Sequence, residues 1–559
     1  MFKIIIATDI LVCYTFFCKK GRRRSVKLNL ESITNPALRR EWEQAGYKLP
    51  HFDVMAMREK TAENCRWVHF GSGNIFRAYL GAKMQDLLDR QLAEEGIVVG
   101  EGFDWEMIEK GYHKFDNLSI DVTLKGDGTV EKRILASIAE ALRCSTQLPA
   151  EWERMSDIFC NPALQMASFT ITEKGYSITA PFVQKDIPRG PEKCITICCM
   201  VTALIYKRFL ANAFPVAIVS MDNCSRNGEK LRNAIVSIAN KWNEMGFVSD
   251  DFIAYLTDEQ KVSFPWSMID KITPRPDPSV CRMLQDDGFA DAEVVVTSCH
   301  SYVSSFVNTE ECEYLVIEDN FPNGRPALDK VGVYFTDRDT VTKVERMKVC
   351  TCLNPLHTAM SIAGCLLGYN KISDEMKDPD IVSYIRKLGY KEGLPVVTDP
   401  GIISPKSFID DVVNKRLPNP FMPDTPQRIA TDTSQKLAIR FGETVKSYLA
   451  NPSLDVMDLK CIPFACASWI RYLLAVNDDG AAFEPSPDPL LDSARADISG
   501  VSFGTDIADD DLDRILARTD IWGYDLGASK LKPAVVSAFR KMNKGPHAVR
   551  KTLEETVRE

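Results

Sequence analysis

Residues 65–101 constrain the fold of this chain more than any other stretch. Arg66-Trp-Val-His-Phe70 has the aromatic and β-branched make-up of a strand, Gly71-Ser-Gly73 follows as a tight turn, and Phe76, Leu80, Met84, Leu87, Leu88 and Leu92 then recur at helical spacing. Ile97-Val-Val99 reads as a second strand. Strand, helix and strand in this order predict two parallel strands joined by a crossover helix. The first turn then lies where dinucleotide folds rest a pyrophosphate on a helix N-terminus. The fingerprint is incomplete, because Phe76 stands where a third small residue is usual. Glu101 closes the second strand, thirty residues beyond Gly71, where the usual ribose-binding acid lies about twenty on. A carboxylate in that place would repel a 2′-phosphate, which favours NAD over NADP.

Apolar β-type runs recur at Met166 to Thr172, Pro215 to Met221 and Glu293 to Ser298, with helical stretches at Thr196 to Leu210 and Gly228 to Met245 between them. This alternation predicts a parallel sheet wrapped by helices. Beyond Lys343 helical patterns dominate, at Ala359 to Tyr369, Ser434 to Leu449 and Phe464 to Val476, broken by the Pro-rich connection Leu417 to Pro423. A chain of 559 residues is too long for one core. The expected division is an N-terminal extension over 1–30, an NAD-binding domain over 31–338 and a mainly helical substrate-binding domain over 339–559.

Charge and cysteine usage narrow the function classes. A net charge of −9 argues against a nucleic-acid surface. The apolar stretch Ile4 to Cys18 is too short for a membrane span, carries Asp9, and precedes the basic cluster Lys19 to Arg24, the reverse of a signal peptide. No stable membrane association is expected, and a cytoplasmic location is. Seventeen irregularly spaced cysteines without a Cys-x-x-Cys read as reduced, mostly buried thiols. No metal site is predicted.

The densest chemical signal is Lys348-Val-Cys-Thr-Cys-Leu-Asn354-Pro-Leu-His357, which gathers an amine, a carboxamide and an imidazole within ten residues. Asn354 before Pro355 reads as an N-cap and a first-turn proline, with His357 in the same turn. On one unbroken helix Lys348 would lie about 240° from Asn354, so the two could share a site only across a break. Pro355 clashes with the carbonyl of residue 351 and supplies a cause for one. The alternative is a surface lysine, a structural cap and a helix-face histidine. Asp222-Asn223 with Asn227-Gly228 follows a strand and reads as either a turn or the ligand crevice. Asp270, inside an apolar segment, needs a cation or a functional cleft.

With these stretches in hand the chain resembles the polyol-specific long-chain dehydrogenases, which include mannitol 2-dehydrogenases, fructuronate reductases (mannonate oxidoreductases) and tagaturonate reductases. The matching residues are Phe70-Gly-Ser-Gly-Asn-Ile-Phe-Arg77, Thr172 to Tyr176, Asp222-Asn223 with Asn227-Gly228, and Ile269 to Pro274. Further on come Ile317-Glu-Asp319 with Gly324-Arg-Pro326, Glu345-x-x-Lys348 with Leu353-Asn354 and His357, and Trp469-x-Arg-Tyr472. They run in order over roughly residues 65 to 490.

The resemblance implies a Rossmann-type α/β N-terminal domain and a mainly α-helical C-terminal domain, 6-phosphogluconate-dehydrogenase-like, with a metal-independent site between them. It implies Lys348 as general acid/base, Asn354, Asn223 and His357 around the reacting oxygen, and Glu345 as proton relay to solvent. Phe70, Gly71, Gly73, Asn74, Arg77, Glu101 and Asp270 are the expected cofactor contacts. Asn223 and Asp270 are expected to touch substrate. Lys348 and Asn354 are six residues apart, where the family pattern has five, and Cys350 and Cys352 replace larger residues.

The expected activity is NAD-dependent interconversion of D-mannonate and D-fructuronate. Mannitol/fructose or tagaturonate are the alternatives, and a catalytically silent nucleotide-binding protein is the contrasting class. For a substrate carboxylate Arg416, Arg428 and Lys436 are the candidate cations. The expected partners are a small sugar acid or polyol, in a monomer or small homo-oligomer.

Overall fold

The computed structural model describes residues 27–558; residues 1–26, and with them most of the expected N-terminal extension, lie outside the described residues. Six strands form a parallel sheet: β1 (Trp67–Phe70), β2 (Ile97–Glu101), β3 (Ile138–Arg143), β4 (Met166–Phe169), β5 (Val216–Ser220) and β6 (Val262–Ser263). Their spatial order is β3-β2-β1-β4-β5-β6. The order reverses beside β1, which is where a dinucleotide crevice opens in such sheets.

Side-chain alternation explains why these short apolar runs are strands. Trp67, Ile97, Val99, Ala217 and Val219 pack into the core on one face of the sheet, and Val68, Phe70, Val98, Val216 and Ile218 into the core on the other. Both faces are covered, so the strands read as continuous apolar runs. The helix expected after Gly73 forms, with a wide π turn at Phe76–Gly81 running into α1 (Ala82–Asp89). The helix expected from Gly228 is α2 (Asn227–Glu244).

The Glu293 to Ser298 run does not join this sheet. Only Val295 and Val296 pair, antiparallel to Tyr302 and Val303, and both are partly exposed. A second sheet of Tyr47–Lys48, Val130–Leu135, Ser119–Leu124 and β8 (Phe306–Glu310) flanks the first. A third joins β7 (Ser267–Asp270), β9 (Tyr314–Glu318) and Tyr334–Thr336. Asp270 and Glu310 stand at the C-terminal ends of β7 and β8.

The helical region begins at α3 (Arg338–Met347), capped by Asp337, whose carboxylate accepts the Thr340 N–H at 2.9 Å. A π turn at Lys348–Cys352 follows, with the Leu353 N–H bonded to the Lys348 carbonyl at 3.1 Å, and Leu353 turns the chain at φ −125°, ψ −63°. α4 (Asn354–Leu366) starts immediately after. The span Arg338–Leu366 is long and apolar enough to cross a membrane, the one such helix among the described residues, but its apolar stretch is 83% buried inside the protein. Val341, Val344, Met347, Leu356 and Met360 belong to the helical core. The helix expected at Ser434 to Leu449 forms over 437–450, with a π turn at Ala438–Gly442 running into Glu443–Ala450 and a separate short turn at Thr433–Gln435 before it.

Candidate active site

Three adjoining cavities run across the C-terminal ends of the strands. The first, about 740 Å³, is lined by Gly71, Ser72, Gly73, Glu101, Thr170 and Thr172, among others. The second, about 310 Å³, shares Thr170 and Thr172 with it and adds Ile75, Asn223 and Ile269. The third, about 440 Å³, shares Asn223 and Ile269 with the second and is closed by Lys348, Asn354, His357, Asp270 and Glu345. The shared walls make one trough, with a glycine turn at one end and a lysine at the other.

The turn end fits a dinucleotide. Gly71 has φ +110°, and a methyl group there would lie 2.4 Å from the Thr170 carbonyl oxygen, so only glycine lets β1 turn so close to β4. A methyl on Gly73 would meet no protein atom within 4 Å, so that backbone borders open cavity. Glu101 lines the same cavity. Its Oε2 accepts the Ser72 N–H at 3.0 Å and the Ser72 hydroxyl at 2.6 Å, and its Oε1 accepts the N–H groups of Phe103 at 3.0 Å and Asp104 at 3.3 Å.

Four other residues expected at the cofactor are elsewhere. Phe70 is fully buried and stacks on Phe169 with centroids 5.1 Å apart, because its alternation on β1 turns it into the core. Arg77 is fully buried and donates to the Ser304 carbonyl at 2.7 Å and the Asn74 side chain at 3.0 Å. Asn74 donates in turn to the Pro274 carbonyl at 3.0 Å. Asn74 and Arg77 therefore hold the turn against neighbouring loops. Asp270 borders the lysine cavity and not the glycine one.

At the other end the π turn brings the lysine to the asparagine and histidine. Lys348 is 3% exposed, and its Nζ lies 3.0 Å from Asn223 Oδ1, 3.2 Å from the Ile269 carbonyl and 3.2 Å from Asp270 Oδ1. Asn354 is not the helix cap: Leu353 takes that position, and the carboxamide lies in the first turn, on the cavity wall. His357, one turn on, is neutral near pH 7, since burial pushes its pKa down to about 4, with Arg440, Arg428 and Arg416 opposing its charge and Asp424 favouring it.

The candidate cations separate. Arg416 is 5% exposed, lines the third cavity and is bonded to two carboxylates, Asp270 at 2.6 Å and Glu310 at 2.8 Å, so much of its charge is already engaged inside the protein. Its remaining Nη2 is buried without a protein partner, as is His357 Nε2, and both residues line one small recess behind the third cavity. Arg428 lines the third cavity and pairs with Asp424. Lys436 lies behind Ile429, donating to the Ile429 carbonyl at 3.2 Å and to Thr431, and burial with the nearby Arg440 lowers its pKa to about 8.

Residues 65–330 match the model of the mannitol dehydrogenase Rossmann domain, and residues 340–543 that of the mannitol dehydrogenase C-terminal domain. The chain belongs to the mannitol dehydrogenase family. It is 50% identical over 541 residues to the D-mannonate oxidoreductase of Thermotoga maritima, covering 95% of this chain and 99% of the relative. It is 28% identical to the polyol:NADP oxidoreductase of Gluconobacter oxydans, over 85% of this chain and 92% of that one. The mannitol 2-dehydrogenase of Pseudomonas fluorescens, solved as a ternary complex with NAD and D-mannitol, shares the fold at 24% identity and TM-score 0.67, over 95% of this chain and all of that one.

Within this mannitol dehydrogenase fold two features of the site depend on contacts that are distant in sequence. Ser72 is tied to Glu101 between the two glycines. Thr172 stands at φ +65°, held by Asp222, whose carboxylate accepts the N–H groups of Ile171 at 3.0 Å and Thr172 at 2.8 Å and the Tyr176 hydroxyl. A β-branched residue in that region is strained. Thr172 to Tyr176 and Asp222 both lie in stretches that match the family, but the tie between them spans fifty residues and is not local in sequence.

Proposed function

We propose that this protein is an NAD-dependent oxidoreductase that interconverts D-mannonate and D-fructuronate. The observation that carries the reading is the Lys348 amine, buried beside Asn223, Asn354 and His357 in a cavity continuous with the glycine turn. The dinucleotide is held by Gly71, Ser72, Gly73 and Glu101, and when bound it supplies the hydride acceptor or donor.

In alcohol oxidation Lys348 takes the hydroxyl proton as the hydride leaves the carbon, and its three acceptors steady the ammonium so formed. In ketone reduction the same ammonium returns the proton. Neutral His357 and the carboxamides of Asn223 and Asn354 stabilise charge on the reacting oxygen. Glu345, on the same cavity wall one turn before Lys348, passes the proton toward solvent.

Two observations favour a sugar acid over a polyol. The 50% identical relative is a D-mannonate oxidoreductase. Arg428 lines the reaction cavity with Lys436 and Arg440 close behind it, and neither Lys436 nor Arg440 has a carboxylate partner among the described residues.

NADH absorbance with fructuronate, tagaturonate and fructose offered separately tests the reading. Fructuronate is expected to turn over fastest; equal turnover of fructose would overturn the sugar-acid assignment, and NADH binding with no turnover would favour a silent binding protein. Lys348→Ala is expected to abolish hydride transfer with NADH affinity nearly intact. Near-normal turnover of that variant would remove Lys348 as the acid/base.

A further inference from the structure

Lys348 stands at the end of a buried chain of charges. Asp270 Oδ1 is 3.2 Å from its Nζ, Asp270 Oδ2 accepts Arg416 Nη1 at 2.6 Å, and Arg416 Nε donates to Glu310 Oε2 at 2.8 Å. The Ile272 N–H holds the other oxygen of Glu310 at 2.7 Å. The signs alternate, and all four residues are between 1% and 7% exposed. Lys348 and Arg416 come from two π turns of the helical region, at Lys348–Cys352 and Val412–Arg416. Asp270 and Glu310 come from the ends of β7 and β8.

Stability alone does not account for such a chain. Well-packed apolar residues often serve as well as a buried ion pair, because desolvation of the charges offsets their attraction. What the chain controls is the field at the lysine. Burial opposes ionisation of Asp270, yet Arg416 and then Lys348 hold its carboxyl below the usual range. Burial raises Glu310 above that range despite Arg416. Arg416 is thus shared between a carboxylate that faces the reacting lysine and one that lines none of the three cavities.

We propose that Arg416 and Glu310 are positioning residues for proton transfer at Lys348. By sharing the Arg416 charge with Asp270, Glu310 sets how strongly Asp270 favours the ammonium form of the lysine. The inference rests on Lys348 being the acid/base. The other titratable or charged groups around that cavity are Glu345 on the lysine's own helix and Asp222 and Cys224 after β5. His357, Asp424 and Arg428 face it from the helical region. None of them is altered in the variants that test the idea.

Glu310→Gln keeps the volume and the acceptor for Ile272 but removes one negative charge, leaving Arg416 to Asp270 alone. In the full-length enzyme the midpoint of the pH–rate profile for alcohol oxidation is expected to fall by about half a unit to one unit, with KM for NAD unchanged. The double variant Glu310→Gln/Arg416→Gln removes both charges and leaves Asp270 acting on Lys348 alone. Its midpoint is expected to rise above that of the wild type by about one unit. Opposite movements are not produced by a structural defect, which lowers the rate at every pH. Folded variants with midpoints within about 0.2 unit of the wild type would overturn the proposal, and failure of both to fold would assign the pair a structural role and overturn it equally. If Lys348→Ala retains turnover, the reading of Lys348 fails whatever Glu310 does; if Lys348→Ala is dead and the midpoints stay put, only this inference fails.

Discussion

Glu101→Gln separates the two things this carboxylate does. In the structure it accepts four hydrogen bonds, from the Ser72 N–H and hydroxyl and the N–H groups of Phe103 and Asp104, and it lines the cavity of Gly71 and Gly73. A glutamine oxygen can still serve Phe103 and Asp104. Its amide then faces the Ser72 N–H, donor against donor, at a cost of about 1–3 kcal/mol in unfolding free energy. The charge effect is separate. A unit charge about 4 Å from a 2′-phosphate charge costs about 1 kcal/mol if fully hydrated and about 4 kcal/mol at the effective dielectric of a protein surface. Removing it improves NADPH relative to NADH by roughly five- to several hundred-fold, at 1.4 kcal/mol per factor of ten. The assay is the ratio of kcat/KM with NADPH to that with NADH, wild type beside variant, with the melting temperature as the control for folding. A folded variant whose ratio stays within about twofold would refute the placement of Glu101 at the ribose. The family makes this a real question, since one relative is a polyol:NADP oxidoreductase.

Two further predictions follow from the same geometry. Gly71→Ala forces a methyl group to 2.4 Å from a backbone oxygen at φ +110°, and is expected to cost about 1–3 kcal/mol of stability. Gly73→Val meets open space and should leave the melting temperature nearly unchanged while raising the NADH dissociation constant at least about tenfold, read by fluorescence titration. His357 and His69 give a pH dependence. Burial lowers the first to about 4 and the second to about 3. Both lie below the unfolded value of about 6.5, so the unfolded chain binds the extra protons. The stability they contribute is complete above pH 6.5 and is lost as pH falls toward the folded values, by about 2 kcal/mol each between pH 7 and pH 5. Urea unfolding of His357→Asn at the two pH values should show a drop smaller by that amount; an equal drop would refute the neutral, buried imidazole.

What could be read from the sequence was what depends on neighbours along the chain. The short apolar strand runs, the Gly71 turn and the break imposed by Pro355 are local, and the structure shows all three. The six-residue spacing of Lys348 and Asn354 is accommodated by a π turn, which widens the helix locally and lets Leu353 bond back to Lys348. Phe70 and Arg77 sit within a motif that matches the family, but strand alternation and burial decide where their side chains go. The run at Glu293 had the composition of a strand and no partner in the main sheet to accept it.

The cations show most clearly why the rest was out of reach. Arg416, Arg428 and Lys436 were equivalent as letters, and what distinguishes them is the location of carboxylates. Arg416 finds Asp270 and Glu310, 146 and 106 residues away in the chain. Arg428 finds Asp424 one turn earlier, on an exposed wall. Lys436 donates to carbonyl groups, with Asp432 and Asp488 near enough to favour its charge but not paired with it, and Arg440 bonds the Thr358 hydroxyl on the helix that carries Asn354 and His357. Burial lowers the pKa of Lys436 to about 8 and of Arg440 to about 10, so each is charged at the expense of the fold. A substrate carboxylate bound beside Arg428 would add counter-charge to this cluster, which burial leaves under-compensated. A polyol would add none, and that electrostatic difference is the physical basis for preferring the acid.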